Sequence, residues 1–191
     1  MANGLFEIDT SGLKIAQKML EGIRGDCYKA NYLAINRTLI GARQQLIGQT
    51  TSIYRVKAGD LRKNLTLNKA TNGKPIGVIH SKGYPLPLIS FKTNPTRPKV
   101  MGRGTRMRAA VRRDSGMKPI HSFVQKLKNG HVGVFHRVGN ARYPIKQNYS
   151  LSAPSMLKHT CSDEKMQRYI NTRYAKELTQ QVKFLLSKGA L

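Results

Sequence analysis

The dipeptide Asn129-Gly130 constrains this chain more than any other pair of its residues. Before it, Phe123, Gln125 and Leu127 alternate with Val124 and Lys126; after it, Val132, Val134 and His136 alternate with Gly133, Phe135 and Arg137. Period-two alternation on both sides of an Asn-Gly, which supplies the positive φ angles of a tight turn, specifies a β-hairpin over 123–138. The pleat sends alternate side chains to opposite faces, so one face is free to be apolar while Lys126, Lys128 and Arg137 point outward. Gly139-Asn140-Ala141-Arg142 makes a second turn, and Tyr143-Pro144 imposes an extended chain after it. The stretch is half a sheet and carries no nucleophile, metal cage or phosphate loop.

The flanking patterns are helical. Ser11-Gly12 caps an expected first helix with Ile15, Met19, Leu20 and Ile23 at helical spacing. Asp26 is the expected N-cap of a longer one, with Tyr28, Tyr32, Ile35, Leu39, Ala42 and Leu46 as its stripe and Gly48 to Ser52 as its stop. A second apolar line, Ala30, Leu33, Ile40 and Ile47, implies that this helix is covered on two sides, by its own sheet and by a neighbouring subunit. A short helix is expected from Ala58-Gly59-Asp60. Strands are then expected at Leu65 to Leu67, Ile76 to His80 and Leu86 to Phe91, the last made an edge by Pro85 and Pro87, and again at Ile145 to Leu151. From about Pro154 to Ser187, Ile170, Tyr174, Leu178, Val182 and Leu185 predict one long terminal helix. The pattern as a whole predicts an α+β fold, a central antiparallel sheet with a long N-terminal and a long C-terminal helix packed on it. A length of 191 residues fits a single domain over 1–191.

Charge narrows the function. The sequence holds 34 Lys and Arg against 9 Asp and Glu, a formal +25, far beyond what solubility requires. Between Asp26 and Asp163 the only acids are Asp60 and Asp114, so the excess belongs to the body of the chain and not to a tail. A polyanion or an acidic protein neighbour is the expected partner. Scarce acids also speak against hydrolytic chemistry. His131 and His136 sit five apart on one strand and face opposite ways, and His80, His121 and His159 have no carboxylate or cysteine pattern beside them. No catalytic residue, metal ligand or cofactor is expected, and Gly102-Arg103-Gly104 lacks the third glycine of a dinucleotide fingerprint. Cys27 and Cys161 read as free thiols; with no targeting segment or apolar span, the chain is expected in the cytoplasm and off the membrane.

The densest positive run, Lys99 to Arg113, has six basic residues and no acid, within a loop or hairpin-tip segment expected at about 92–118. Two readings stand. Arg97, Lys99, Arg103, Arg106, Arg108, Arg112 and Arg113 line a channel and meet phosphates or an acidic partner without reading sequence. Alternatively they are a solvated strand edge protected from aggregation by its charge. The run contains no Phe or Tyr on which bases would stack.

A family resemblance adds to this. Phe123 through Lys128-Asn129-Gly130 to Arg137-Val138 and Arg142-Tyr143-Pro144-Ile145 resembles the minor tail protein Z of lambda-like phages. Ala34-Ile35-Asn36-Arg37, Arg62-Lys63, Lys69-Ala70-Thr71, Leu86-Pro87-Leu88-Ile89 and Ala153-Pro154 follow the same family order, while Met1 to Gly25 and Asn94 to Lys118 depart from it. The resemblance implies a structural tail-completion protein at the head-proximal end of a tail, present in the virion and in host cytoplasm during assembly. It further implies a six-fold ring of this chain, a tail terminator and a head-tail connector below the portal as neighbours, and the end of the packaged DNA nearby. The competing class is a basic, sequence-independent nucleic-acid-binding protein; the absence of a DNA-reading helix or zinc module weighs against it.

Overall fold

A computed structural model describes residues 24–81, 83–99, 105–160 and 163–189. In chain order the elements are α1 (Arg24–Ile53), α2 (Ala58–Lys63), β1 (Leu65–Asn68), β2 (Val78–Ser81), β3 (Pro85–Pro87) and a 3-10 turn (Leu88–Ser90). These are followed by β4 (Lys92–Asn94), β5 (Met107–Ala110), β6 (Lys118–Ile120), β7 (Phe123–Lys126), β8 (Val132–Arg137), β9 (Ile145–Gln147), β10 (Tyr149–Ser152), α3 (Ala153–Thr160) and α4 (Asp163–Gly189). The fold is α+β, with a long helix toward each end of the chain. Its strands, however, form four small antiparallel sheets and not one central sheet: β1-β2, β10-β3, β4-β5-β6 and β7-β8-β9. Proline is one cause. Pro85, Pro87 and Pro119 have no N–H to donate to a further strand, so β3 and β6 end their sheets.

Two compact units emerge, each discontinuous in sequence. The first comprises 24–46, Leu65–Ser81 and 163–189. Its core joins Ala30, Ala34, Ile35 and Leu39 of α1 to Tyr174, Leu178, Val182 and Leu185 of α4, with Ala70 beneath and Tyr32 and Ile79 at the margin. The small Ala30 and Ala34 let the helices approach, and each buried Leu, Ile or Val contributes roughly 1.5–3 kcal/mol. The loop after β1 is pinned by Asn36, whose Nδ2 donates to the Ala70 carbonyl at 2.9 Å and whose Oδ1 accepts from the Ala70 amide at 2.8 Å. Tyr174 Oη donates to Asn31 Oδ1 at 2.8 Å inside the same interface. Tyr28 and Ile40, expected on covered faces, are 56% and 46% exposed.

The second unit comprises Ile47–Asn64, 83–99 and 105–160. Its hairpin turns at Asn129-Gly130 as expected: β7 and β8 pair from Phe123↔Phe135 to Lys126↔Val132, and Gly130 takes φ +82°. The Gly130 amide donates to the Leu127 carbonyl at 2.9 Å, and the His131 amide to Asn129 Oδ1 at 3.1 Å.

Four boundaries differ from the sequence expectation, the end of α1 and the division at Asn148 for tertiary reasons and the other two for local ones. Helix α1 starts before Asp26 and runs through Gly48 to Ile53. Thr51 and Ser52 hydroxyls donate back to Gly48 and Gln49 carbonyls at 3.0 and 2.7 Å, and Arg113 reaches in to take the Thr51 carbonyl at 2.7 Å. The expected strand at Leu86 to Phe91 gives way after Pro87 to the 3-10 turn closed by Phe91 N–H on Leu88 O at 3.1 Å. The expected strand at Ile145 to Leu151 divides at Asn148. There the amide donates to Val134 O at 2.8 Å, while the carbonyl accepts from Leu88 N–H at 2.9 Å and so transfers the chain to β3. The single terminal helix is two, α3 capped by Ser152 Oγ on the Ser155 amide at 3.3 Å and α4 beginning at Asp163. The helix expected over 11–23 lies outside the described residues.

Candidate functional site: a basic sheet face

The charge is unevenly divided. Over the full sequence spans Ile47–Asn64 and Lys82–Thr160 to which the second unit belongs, 20 of the 34 Lys and Arg occur with only Asp60 and Asp114 of the nine acids, a formal +18 out of +25. Its β4-β5-β6 sheet is the scaffold for the basic run. Register places Asn94 and Pro119 on either side of Arg108, and Lys92 opposite Ala110, so Lys92 and Arg108 occupy one face of the sheet as diagonal neighbours. Met107 and Ala109 take the other face and are buried with Thr93. This alternation is why Arg108 is exposed although it lies on the middle strand.

The seven candidate residues separate by what they do. Arg97 and Lys99 are exposed beyond β4, and Arg106 is exposed just before β5, in the connection between those strands. Among the described residues, no carboxylate lies within ion-pair distance of Arg97, Lys99, Arg106 or Arg108. Arg112 is partly spent: its guanidinium pairs with Asp114 at 2.9 Å and lies 5.9 Å from the centroid of the buried Tyr54 ring. Arg113 is structural, since its Nε donates to Thr51 O at 2.7 Å and its amide to Ile53 O at 2.8 Å, closing the last turn of α1. Arg55 joins them, with Nε on Arg112 O at 3.2 Å and Nη2 on Arg113 O at 3.4 Å. Arg103 lies outside the described residues. The sheet therefore sets Lys92 and Arg108 on one accessible face, with Arg106 exposed just before β5, while Arg113 is engaged at the end of α1. Sequence reasoning missed Lys92, whose place beside Arg108 is set by strand register and has no local signal.

The geometry offers little for bond-making chemistry. Among the described residues no three of His, Cys, Asp and Glu converge on a metal position. His136 Nδ1 hydrogen-bonds Asn148 Oδ1, and Asn148 Nδ2 donates to Ser122 Oγ at 2.8 Å, so this His orders the β9-β10 junction and not a nucleophile. In the first unit, a shallow groove of about 310 Å³ runs along α4 past Tyr169, Arg173 and Glu177. Its carboxylate is already held by Arg173 at 3.2 Å and Arg37 at 3.8 Å.

Residues 10–188 match the family described as prophage minor tail protein Z. The chain belongs to that family. It is also 28% identical over 127 residues, 66% of this chain and 69% of the relative, to the tail completion protein of Escherichia phage N15. No solved structure matches it. As a minor tail protein Z family member, the chain shows what two of its family-like segments do: Asn36 of Ala34-Ile35-Asn36-Arg37 clamps Ala70 of Lys69-Ala70-Thr71. The Leu86-Pro87-Leu88-Ile89 segment forms β3 and the turn that receives Asn148.

Proposed function

We propose that this protein completes a phage tail, joining the head-proximal end of the tail to the head. In this reading it forms a ring of identical copies between a tail terminator and a head-tail connector, is a virion component with no catalytic role, and turns the Lys92, Arg106 and Arg108 face toward an anionic neighbour. Family membership carries the tail assignment, and the concentration of +18 in one unit carries the anionic neighbour. Like charges repeated around a ring repel unless something negative lies opposite, and the phosphates of the packaged DNA end are the partner this reading favours.

Two measurements test it. A phage lacking the protein should yield filled heads and tails that fail to join; normal joining would overturn the tail role. Purified protein should bind duplex DNA without sequence preference, with log affinity falling linearly in log salt at about 0.9 per phosphate neutralised. Replacing Lys92, Arg106 and Arg108 with Gln should lower that slope by roughly two to three, and an unchanged slope would leave these residues a solvated face. The charge also favours a second reading, sequence-independent nucleic-acid binding with no tail role; it predicts DNA binding by a protein absent from purified tails.

A further inference from the structure

The β8-β9 connection is an exposed tip, distinct from the β4-β5-β6 sheet face proposed to meet phosphate and independent of that proposal. Residues 138–144 are all exposed, beyond the last pair Arg137↔Ile145, and Val138 N–H donates to Pro144 O at 3.1 Å to close the loop. On it Val138 is 51% and Tyr143 60% exposed, and the Arg142 guanidinium stands 5.9 Å from the Tyr143 ring centroid. At its base Arg137 lies 5.7 Å from the Phe123 centroid. The tip thus presents an aliphatic and an aromatic group flanked by two arginines, each held against a ring. No acid occurs between Asp114 and Asp163 to neutralise them.

We propose that this tip docks into a different protein whose surface offers carboxylates around an apolar recess. Three observations select that occupant. Exposed Tyr and Arg side by side have the composition of interface anchors, and an aliphatic Val adds area that a protein recess covers and a phosphate backbone does not. The Arg142 guanidinium stands 5.9 Å over the Tyr143 ring, so a nucleobase stacking on that face would compete with it. A second copy of this chain is poor in acids: it has nine against 34 Lys and Arg, Asp163-Glu164 is the only adjacent pair in the sequence, and Glu177 is held by Arg37 and Arg173.

The test uses the full-length protein and three labelled probes in fluorescence anisotropy: a random copolymer of Glu and Tyr, poly-Glu of equal length, and duplex DNA. The wild type should bind the copolymer about tenfold more tightly than poly-Glu. Val138→Ala with Tyr143→Ala should erase that preference while leaving DNA affinity within about twofold, because both side chains are exposed and absent from the phosphate-facing sheet. Arg142→Gln should weaken both acidic polymers. Arg106→Gln with Arg108→Gln should weaken DNA and keep the copolymer preference. Circular dichroism should show an unchanged fold in every variant; should the double alanine variant misfold, Tyr143→Ser alone supplies the comparison. A wild type without preference for the copolymer, a preference that survives loss of Tyr143, or a tip variant that loses DNA binding as much as copolymer binding would overturn the proposal. The last result would assign the tip to nucleic acid.

Discussion

Asn36→Ala isolates one side chain that ties a loop to a helix. The amide spans two sites on Ala70, donating at 2.9 Å and accepting at 2.8 Å, and Ala70 is buried with 3% of its surface exposed. Truncation leaves an amide and a carbonyl of Ala70 without these partners. An orphaned buried polar group costs about 1–3 kcal/mol, and Asn36 is only half-buried, so water can relieve part of the loss. The expected destabilisation of the first unit is therefore about 2–4 kcal/mol. Native-state hydrogen exchange is the direct assay, because Ala70 reports its own amide: protection there should fall by roughly 30-fold or more, at about 1.4 kcal/mol per decade. Urea unfolding should show a lower midpoint at unchanged slope. Asn68→Ala, which removes only an exposed 3.0 Å contact to His80, is the control and should stay within about 0.5 kcal/mol. If Asn36→Ala matches that control in stability and leaves Ala70 exchange unchanged, the clamp does not hold the loop.

Gly77→Ala should destabilise by about 1–3 kcal/mol in thermal unfolding, because a Cβ there would meet the Leu39 side chain and come within 2.9 Å of Ile35 Cγ2, both in the core. Tyr174→Phe keeps the packing but strands Asn31 Oδ1, and chemical denaturation should show a loss of about 1–2 kcal/mol. Arg113→Gln and Arg108→Gln should dissociate stability from binding. The first should lower stability by roughly 1 kcal/mol through the lost bond to Thr51 O, while the second leaves stability within about 0.5 kcal/mol and reduces the salt slope of DNA binding.

Legibility in the sequence followed the range of the interaction. The hairpin at Asn129-Gly130 was readable because turn, alternation and register lie within sixteen residues, and the α4 stripe from Ile170 to Leu185 because helical packing repeats locally. Two of the boundaries that moved are set from far along the chain. Thr51 O is held by Arg113, 62 residues away, so no local signal predicts that α1 continues past Gly48. Asn148 looks like one residue of an alternating strand, yet its amide and carbonyl serve Val134 and Leu88, which divides the strand and separates the sheets.

The basic run shows why counting charges finds a region before it finds a surface. In sequence, Arg112 and Arg113 are the densest pair of the run, yet an Asp114 ion pair engages one and a helix carbonyl the other. Arg108 has only the isolated spacing of a strand residue, yet the burial of Met107 and Ala109 on one face fixes it on the other. Lys92 enters the same face from sixteen residues upstream because β4 pairs with β5 in the register Asn94↔Arg108. A one-residue slip of that register would carry Lys92 to the side of Met107 and place a charge among buried residues, at a cost of several kcal/mol. The burial of Met107 and Ala109 on one face of β5 therefore fixes Arg108 on the other, where Ala110 opposite Lys92 is buried as well. If this face meets an anion as proposed, Met107 and Ala109 matter to it as much as the arginines do.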